Sequence, residues 1–292
     1  MSDQESSNTD RRETMSVQEA IDRAKNEPGE DLEALQSLVI ENGRPIDAAL
    51  FALAVQSGVN HGSAPDTRDV EERVFRSGDA FAAFELASEV KGVDRVRAQE
   101  VILESDDPES CRHALRLAKS DFPGIDRDAL KEKVLRSGSG LTLVRLAETF
   151  PDVDRDRVAR GVLERGGAFD CVELARDVLG YSTPELARKV RDEGRVADCV
   201  SYAAEVPGAD GGYFEDRVLR EAGFGDCFAF YTEAEGVDRD RLRRRMNEIG
   251  TFSEKMVLKA SRVEDFGDRL KGLARRISTA GADGDDGPSM RA

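Results

Sequence analysis

The sequence predicts an all-α fold, a right-handed α-solenoid of about seven to eight antiparallel helical hairpins with a capping helix at each end. Three observations carry that prediction. A pattern recurs every 28 to 31 residues, each half of the recurring unit has helical apolar spacing, and Asp and Gly punctuate the halves.

The second half of the unit reads "FELASEVKGVDR", "LRLAKSDFPGIDR", "VRLAETFPDVDR", "VELARDVLGYSTPE", "VSYAAEVPGAD" and "FAFYTEAEGVDR". These segments align on Leu86, Leu117, Leu146, Leu174, Tyr202 and Phe230, spaced 31, 29, 28, 28 and 28, and an earlier copy aligns on Leu53. The first half is apolar at i, i+4 and i+5: Val70, Val74, Phe75; Ala98, Ile102, Leu103; Leu130, Val134, Leu135; Val158, Val162, Leu163; Phe214, Val218, Leu219. Leu35, Val39 and Ile40 fit ahead of this series, and Leu242 with Met246 fit behind it. Arg, Glu and Asp fill the opposite face, as on a helix with one side in a core.

Turn chemistry sets the same boundaries. Asp94, Asp126, Asp154 and Asp238 each follow Val or Ile and precede Arg, the pattern of an N-cap with an apolar neighbour outside it. Thr183 and Pro184 do the same at another junction, with Pro where a missing N–H costs nothing. Gly92, Gly124, Gly180, Gly208 and Gly236 follow the second helices, where a left-handed turn wants no Cβ. "RSGD", "RSGS", "ERGG" and "DEGR" mark the turn inside the hairpin. Two short helices cannot bury their stripes alone, so adjacent hairpins are expected to stack.

The repeat domain is expected at 15–278, between disordered tails at 1–14 and 279–292. "SVQEAIDRAKNE" opens with Ser16 and Glu19 as a capping box and is expected to close one end. "RVEDFGDRLKGLARRI", with Phe266, Leu270, Leu273 and Ile277 on one face, is expected to close the other.

The unit resembles, in style, the short helical-hairpin repeats of the HEAT and tetratricopeptide classes. "SGDAFAAFELASEVKGVDR" looks like repeats in uncharacterised microbial and viral proteins. The period is shorter than in either named class, and the tetratricopeptide aromatic signature is missing because the chain has no Trp. The resemblance implies a stacking surface for binding and carries no catalytic residue across.

The 292 residues carry 59 Asp and Glu against 43 Lys and Arg, a formal charge of -16, and nine of the basic residues are Lys. This balance resembles that of haloarchaeal proteins, whose acidic surface sits in molar salt where the Debye length is about 3 Å. The N-terminus "MSDQESSNTDRRET" has neither a basic n-region nor an apolar stretch, and no run approaches the roughly 20 apolar residues of a membrane span. A cytoplasmic location follows as an expectation.

Three Asp-Cys pairs, at Cys171, Cys199 and Cys227, are the most conspicuous chemistry in the sequence. Their slot, three residues before the aligned residue, holds Leu50, Ala83, Ala114 and Leu143 elsewhere. Equivalent slots on packed helices stand about 10 Å apart, whereas a disulfide needs Cα atoms within about 7 Å and zinc needs sulfur at about 2.3 Å. The cysteines, Cys111 included, are therefore expected as small buried hydrophobes, with no metal or other cofactor. His61 and His113, the only histidines, lie more than a repeat apart. His61 reads as a loop residue and His113 as a surface or groove residue.

Two sets of residues are candidates for partner contact. Glu89, Asp177, Glu205 and Glu233 recur at one position of the second helix and would form an acidic ladder for cationic groups. Tyr202, Phe228, Phe230 and Tyr231 cluster, and Tyr202, Phe228 and Tyr231 are candidate aromatic anchors, with burial in the core as the competing reading. Arg239, Arg241, Arg243, Arg244 and Arg245 could grip phosphate, against the alternative of a helix face laced with ion pairs. The expectation is a non-enzymatic scaffold for a protein or peptide partner. A structural part of a larger cellular or viral assembly is the alternative, and a helical-repeat nucleic-acid-binding or DNA-repair protein comes third.

Overall fold

The computed structural model describes residues 15–58 and 67–260, and among them every regular element is helical. Seventeen helices form two compact units, Met1–Thr149 and Phe150–Ala292. The expected C-terminal cap at Phe266, Leu270, Leu273 and Ile277, both tails and His61 lie outside the described residues. The boundary at Thr149 falls in a turn between hairpins, so it divides the body expected at 15–278 without breaking the period. In a stack where each hairpin touches only its neighbours, any such turn can be a boundary.

Unit one holds α1 (Val17–Asn26), α2 (Leu32–Asn42), α3 (Pro45–Ser57), α4 (Arg68–Ser77), α5 (Ala80–Glu89), α6 (Arg95–Glu104), α7 (Ser110–Lys119), α8 (Arg127–Ser137) and α9 (Gly140–Thr149). Its helices lie in two layers. First helices pack in the succession α2, α4, α6, α8, and second helices in the succession α3, α5, α7, α9. Helix α1 packs on α2 and α3, which closes this end as the Ser16 cap predicts.

Unit two holds α10 (Arg155–Arg165), α11 (Ala168–Glu173), α12 (Pro184–Glu193), α13 (Val196–Glu205), α14 (Gly212–Glu221), α15 (Phe224–Glu233), α16 (Arg239–Ile249) and α17 (Phe252–Ala260). Here α10 packs on α12, α14 on α16, and α11 on α13 on α15. Each unit is thus a stack of antiparallel hairpins, an all-α solenoid architecture.

The caps form as the sequence predicts. The Asp94, Asp126, Asp154 and Asp238 carboxylates each accept N–H bonds from their helix's first turn, and Thr183 accepts from the Leu186 N–H. The first-helix stripe is narrower than expected. Positions i and i+4 are buried throughout, but Ile40, Leu103, Leu135, Leu163 and Leu219 at i+5 are only half-buried. At about 100° per residue, i+4 returns to within about 40° of i, whereas i+5 swings about 140° away. Phe75, with a longer reach, is buried.

The earliest copy also shifts. In α3 the buried set is Ala48, Phe51, Ala52, Ala54 and Val55, while Leu50 is exposed and Leu53 half-buried. The residue in register is Ala54 rather than Leu53, because α3 is all but continuously apolar and any of several residues could be aligned. At the other end, Leu258 is buried 28 residues after Phe230, which makes α17 the second helix of an eighth hairpin.

The five predicted left-handed glycines all have positive φ, Gly92 at +83° among them. The glycines inside hairpins serve differently. Gly194 is extended, and a Cβ there would lie 2.5 Å from the Val190 carbonyl oxygen and 2.8 Å from the Ala168 side chain. Close approach, not handedness, demands glycine at that position. Helix α11 continues as a π-helical segment, Leu174–Leu179, to left-handed Gly180, two residues past the point where α5, α9, α13 and α15 end. A π-turn absorbs extra residues without moving the register of Leu174.

Candidate functional site

The polar residues between first helices define the junctions of the stack. Each junction has up to three components, all at fixed repeat positions. In the first, the residue after the leading stripe residue reaches the N-cap of the next first helix. The Gln99 Oε1 accepts from the Asp126 N–H at 2.8 Å, the Glu215 Oε2 from the Asp238 N–H at 2.7 Å, and the Glu71 Oε2 from the Asp94 N–H at 3.3 Å.

The second component is an ion pair one position further on. Arg97 pairs with Glu72 at 3.1 Å, and Arg241 pairs with Asp216 at 3.0 Å and with buried Glu215 at 2.9 Å. These partners hold the Glu72 carboxyl below the usual range and raise the Arg241 guanidinium. In the third, a cation three residues after the stripe residue caps the C-terminal end of the preceding first helix. Arg73 donates to the Gly43 carbonyl, Lys133 to Ser105, Lys189 to Leu163, and Arg217 to Gly194 and Arg191. Unpaired carbonyls and the helix dipole both favour a cation there. Sequence reading placed these residues on the solvated face and missed the junctions. The recurrence of a basic residue at i+3 of the stripe was the available signal.

The Asp-Cys pairs divide their work. The carboxylates of Asp170 and Asp198 accept from the N–H groups of Gly167 and Arg195, which closes the first turns of α11 and α13. The following Cys171, Cys199 and Cys227 are buried free thiols, as is Cys111. Burial pushes the Cys171 thiol up to about 12 and the Cys199 thiol to about 11, and it raises Cys227 as well. Among the described residues no three His, Cys, Asp or Glu side chains converge as a metal site.

The acidic candidates do not form one ladder. The Arg176 guanidinium bridges Glu205 at 2.6 Å and Asp177 at 2.8 Å, tying α11 to α13. Both carboxylates are therefore occupied by the chain's own cation. Glu89 is exposed on α5, and Glu233 is half-buried on α15.

The aromatic candidates belong mostly to the core. Tyr202 is fully buried beside Phe214, and its hydroxyl lies 3.0 Å from the Ser182 Oγ; Phe228 and Phe230 are buried too. Burial removes Tyr202 and Phe228 as anchors. Half-buried Tyr231 accepts from Arg243 at 2.9 Å.

The arginine run is largely satisfied internally. Arg241 serves the junction, Arg243 pairs with Asp240 at 3.0 Å, Arg245 pairs with Glu248 at 3.8 Å, and Arg239 donates to the Tyr231 carbonyl. Arg244 is exposed and has no carboxylate within 4 Å among the described residues. The run does not present five free guanidinium groups to a phosphate.

His113 is buried, not at the surface as the sequence suggests. Its ring lies 5.4 Å from both Phe81 and Phe84, and its Nδ1 is buried without a hydrogen-bond partner among the described residues. Burial, reinforced by the Arg116 charge, lowers its pKa.

Exposed apolar side chains complete the site. Phe81, Leu141 and Phe169 are 43, 45 and 53 % exposed, and each stands five residues before its register residue, at the start of a second helix. In unit one Arg112 holds the same position between them, so α5, α7 and α9 present Phe81, Arg112 and Leu141 as a row.

The described residues define a class: an all-helical repeat protein whose hairpins stack through polar junctions. No family model matches the chain, and comparison with curated proteins and with solved structures returns no match. No helix among the described residues is long and apolar enough to cross a membrane.

Proposed function

We propose that the chain is a non-enzymatic scaffold that binds a protein or peptide partner along the starts of its second helices. The row of Phe81, Arg112 and Leu141 carries this reading, with Phe169 at the same repeat position in unit two. Packed helices bring such positions about 8–10 Å apart, a spacing that suits apolar side chains of an extended or helical peptide. Exposed aromatics with a neighbouring Arg are the residue types that anchor interfaces.

The four free thiols and the acidic, lysine-poor composition support a reducing cytoplasm at high salt. With a charge of -16, the melting temperature is expected to rise between 0.1 and 3 M KCl. A flat or falling curve would count against the haloarchaeal reading.

The scaffold reading is tested by placing a photo-reactive phenylalanine at Phe81 and irradiating in native extract at high salt. One discrete covalent adduct, lost when Leu141 is replaced by Ser, is expected. No adduct, or a smear that Leu141→Ser leaves unchanged, would contradict it.

A further inference from the structure

Helix α17 keeps apolar residues where a terminal hairpin is expected to be polar. Two residues before the register residue, Val172, Val200 and Phe228 are buried in the earlier hairpins of unit two; Met256 at that position is 50 % exposed. Six residues before it, Ala168 is buried and Val196 and Phe224 half-buried, whereas Phe252 is 82 % exposed. Val257, where other second helices carry Glu85, Arg116 or Arg145, is exposed as well. The face is open among the described residues, and it has the composition of a covered one.

We propose that the Phe252–Met256 face is a docking surface for residues 261–278 of the same chain. The chain leaves α17 at Ala260 with these residues next in line, so the segment is held at the face at high effective concentration. Its Phe266, Leu270, Leu273 and Ile277 recur at spacings of 4, 3 and 4, one apolar stripe to meet another. In helical form 18 residues span about 27 Å, ample for the nine-residue α17.

Charge selects the same occupant. Arg262, Arg269, Lys271, Arg275 and Arg276 outnumber Glu264, Asp265 and Asp268 in this segment of a chain whose net charge is -16. A second copy would instead bring two strongly acidic bodies together.

The test uses the full chain and reads amide hydrogen exchange in residues 261–278 together with mass by light scattering. Wild type is expected to be monomeric, with exchange in the segment slowed at least tenfold. The double variant Phe252→Asp, Met256→Asp is expected to lose that protection while α13 keeps its own, and Leu270→Asp with Leu273→Asp is expected to do the same from the other side. Unprotected exchange in wild type, or protection that survives both variants, would overturn the proposal. A wild-type dimer dissociated by Phe252→Asp, Met256→Asp would assign the face to a second copy and overturn it equally.

Discussion

Gln99 exchanges two hydrogen bonds with the backbone of Asp126: its Oε1 accepts from the Asp126 N–H at 2.8 Å, and its Nε2 donates to the Asp126 carbonyl at 3.4 Å. The link joins α6 to the cap of α8, so one neutral side chain supports both a helix start and a hairpin junction. Elsewhere the same position is Glu71 or Glu215, and there the third residue after the capping Asp is Arg97 or Arg241. Where the bracket is Gln99, that residue is Ala129.

Replacing Gln99 by Leu leaves the Asp126 N–H without its acceptor, and a loss of about 1–3 kcal/mol in urea unfolding is expected. Gln99→Glu keeps the acceptor but introduces a charge with no Arg opposite, so it is expected to destabilise until Ala129→Arg is added. Failure of Ala129→Arg to recover any stability would show that the pairing of bracket and Arg is coincidental.

His113 predicts a pH effect with a definite sign. Its pKa is lowered from the ordinary 6.5 by burial first and by Arg116 second, with Glu109 and Asp107 opposing and Arg112 adding to the shift. Phe81 and Phe84 of α5 face the ring, and Glu85 lies 3.9 Å from Arg116. Above pH 6.5 both folded and unfolded chains hold the imidazole neutral. Below it the unfolded chain takes the proton first, so stability falls from about pH 6.5 down to the lower folded-state pKa. His113→Leu is expected to flatten that part of the stability curve and to leave the carboxylate-driven loss below about pH 4.5 in place. An unchanged slope between pH 6.5 and 5 would contradict the buried placement.

The thiols are expected to be inert. With Cys171 and Cys199 raised to about 12 and 11, thiolate is scarce at neutral pH. A thiol-titrating reagent is expected to find none reactive in the native protein and four in denaturant. Cys199→Ala is expected to stay folded with a loss of about 1 kcal/mol, the order of a small buried deletion. Fast native modification of any of them would refute their assignment to the core.

What the sequence makes legible is whatever a period constrains. The first-helix stripe, the Asp caps and the left-handed glycines each occur once per hairpin at a fixed offset, so self-comparison finds them. Leu53 was misaligned because α3 is too uniformly apolar for its pattern to mark one face. Tyr202 and His113 were misplaced for a different reason: a polar atom on a large ring signals a surface only when nothing covers it, and the covering residues come from the neighbouring hairpin. The ladder of Asp177 and Glu205 dissolves on Arg176 for the same cause, because the pairing crosses 29 residues of chain. Contacts between hairpins are not periodic in type, only in place.

The period itself is the most direct test. Excising residues 175–202 joins Leu174 to Ala203 and removes one 28-residue unit, so every remaining register residue keeps its face. An excision two residues shorter turns the following stripe by about 200°. The first chain is expected to remain helical and to melt cooperatively, and the second to lose cooperative melting. Equal behaviour of the two chains, folded or unfolded, would contradict a repeat of 28 residues as the unit of stacking.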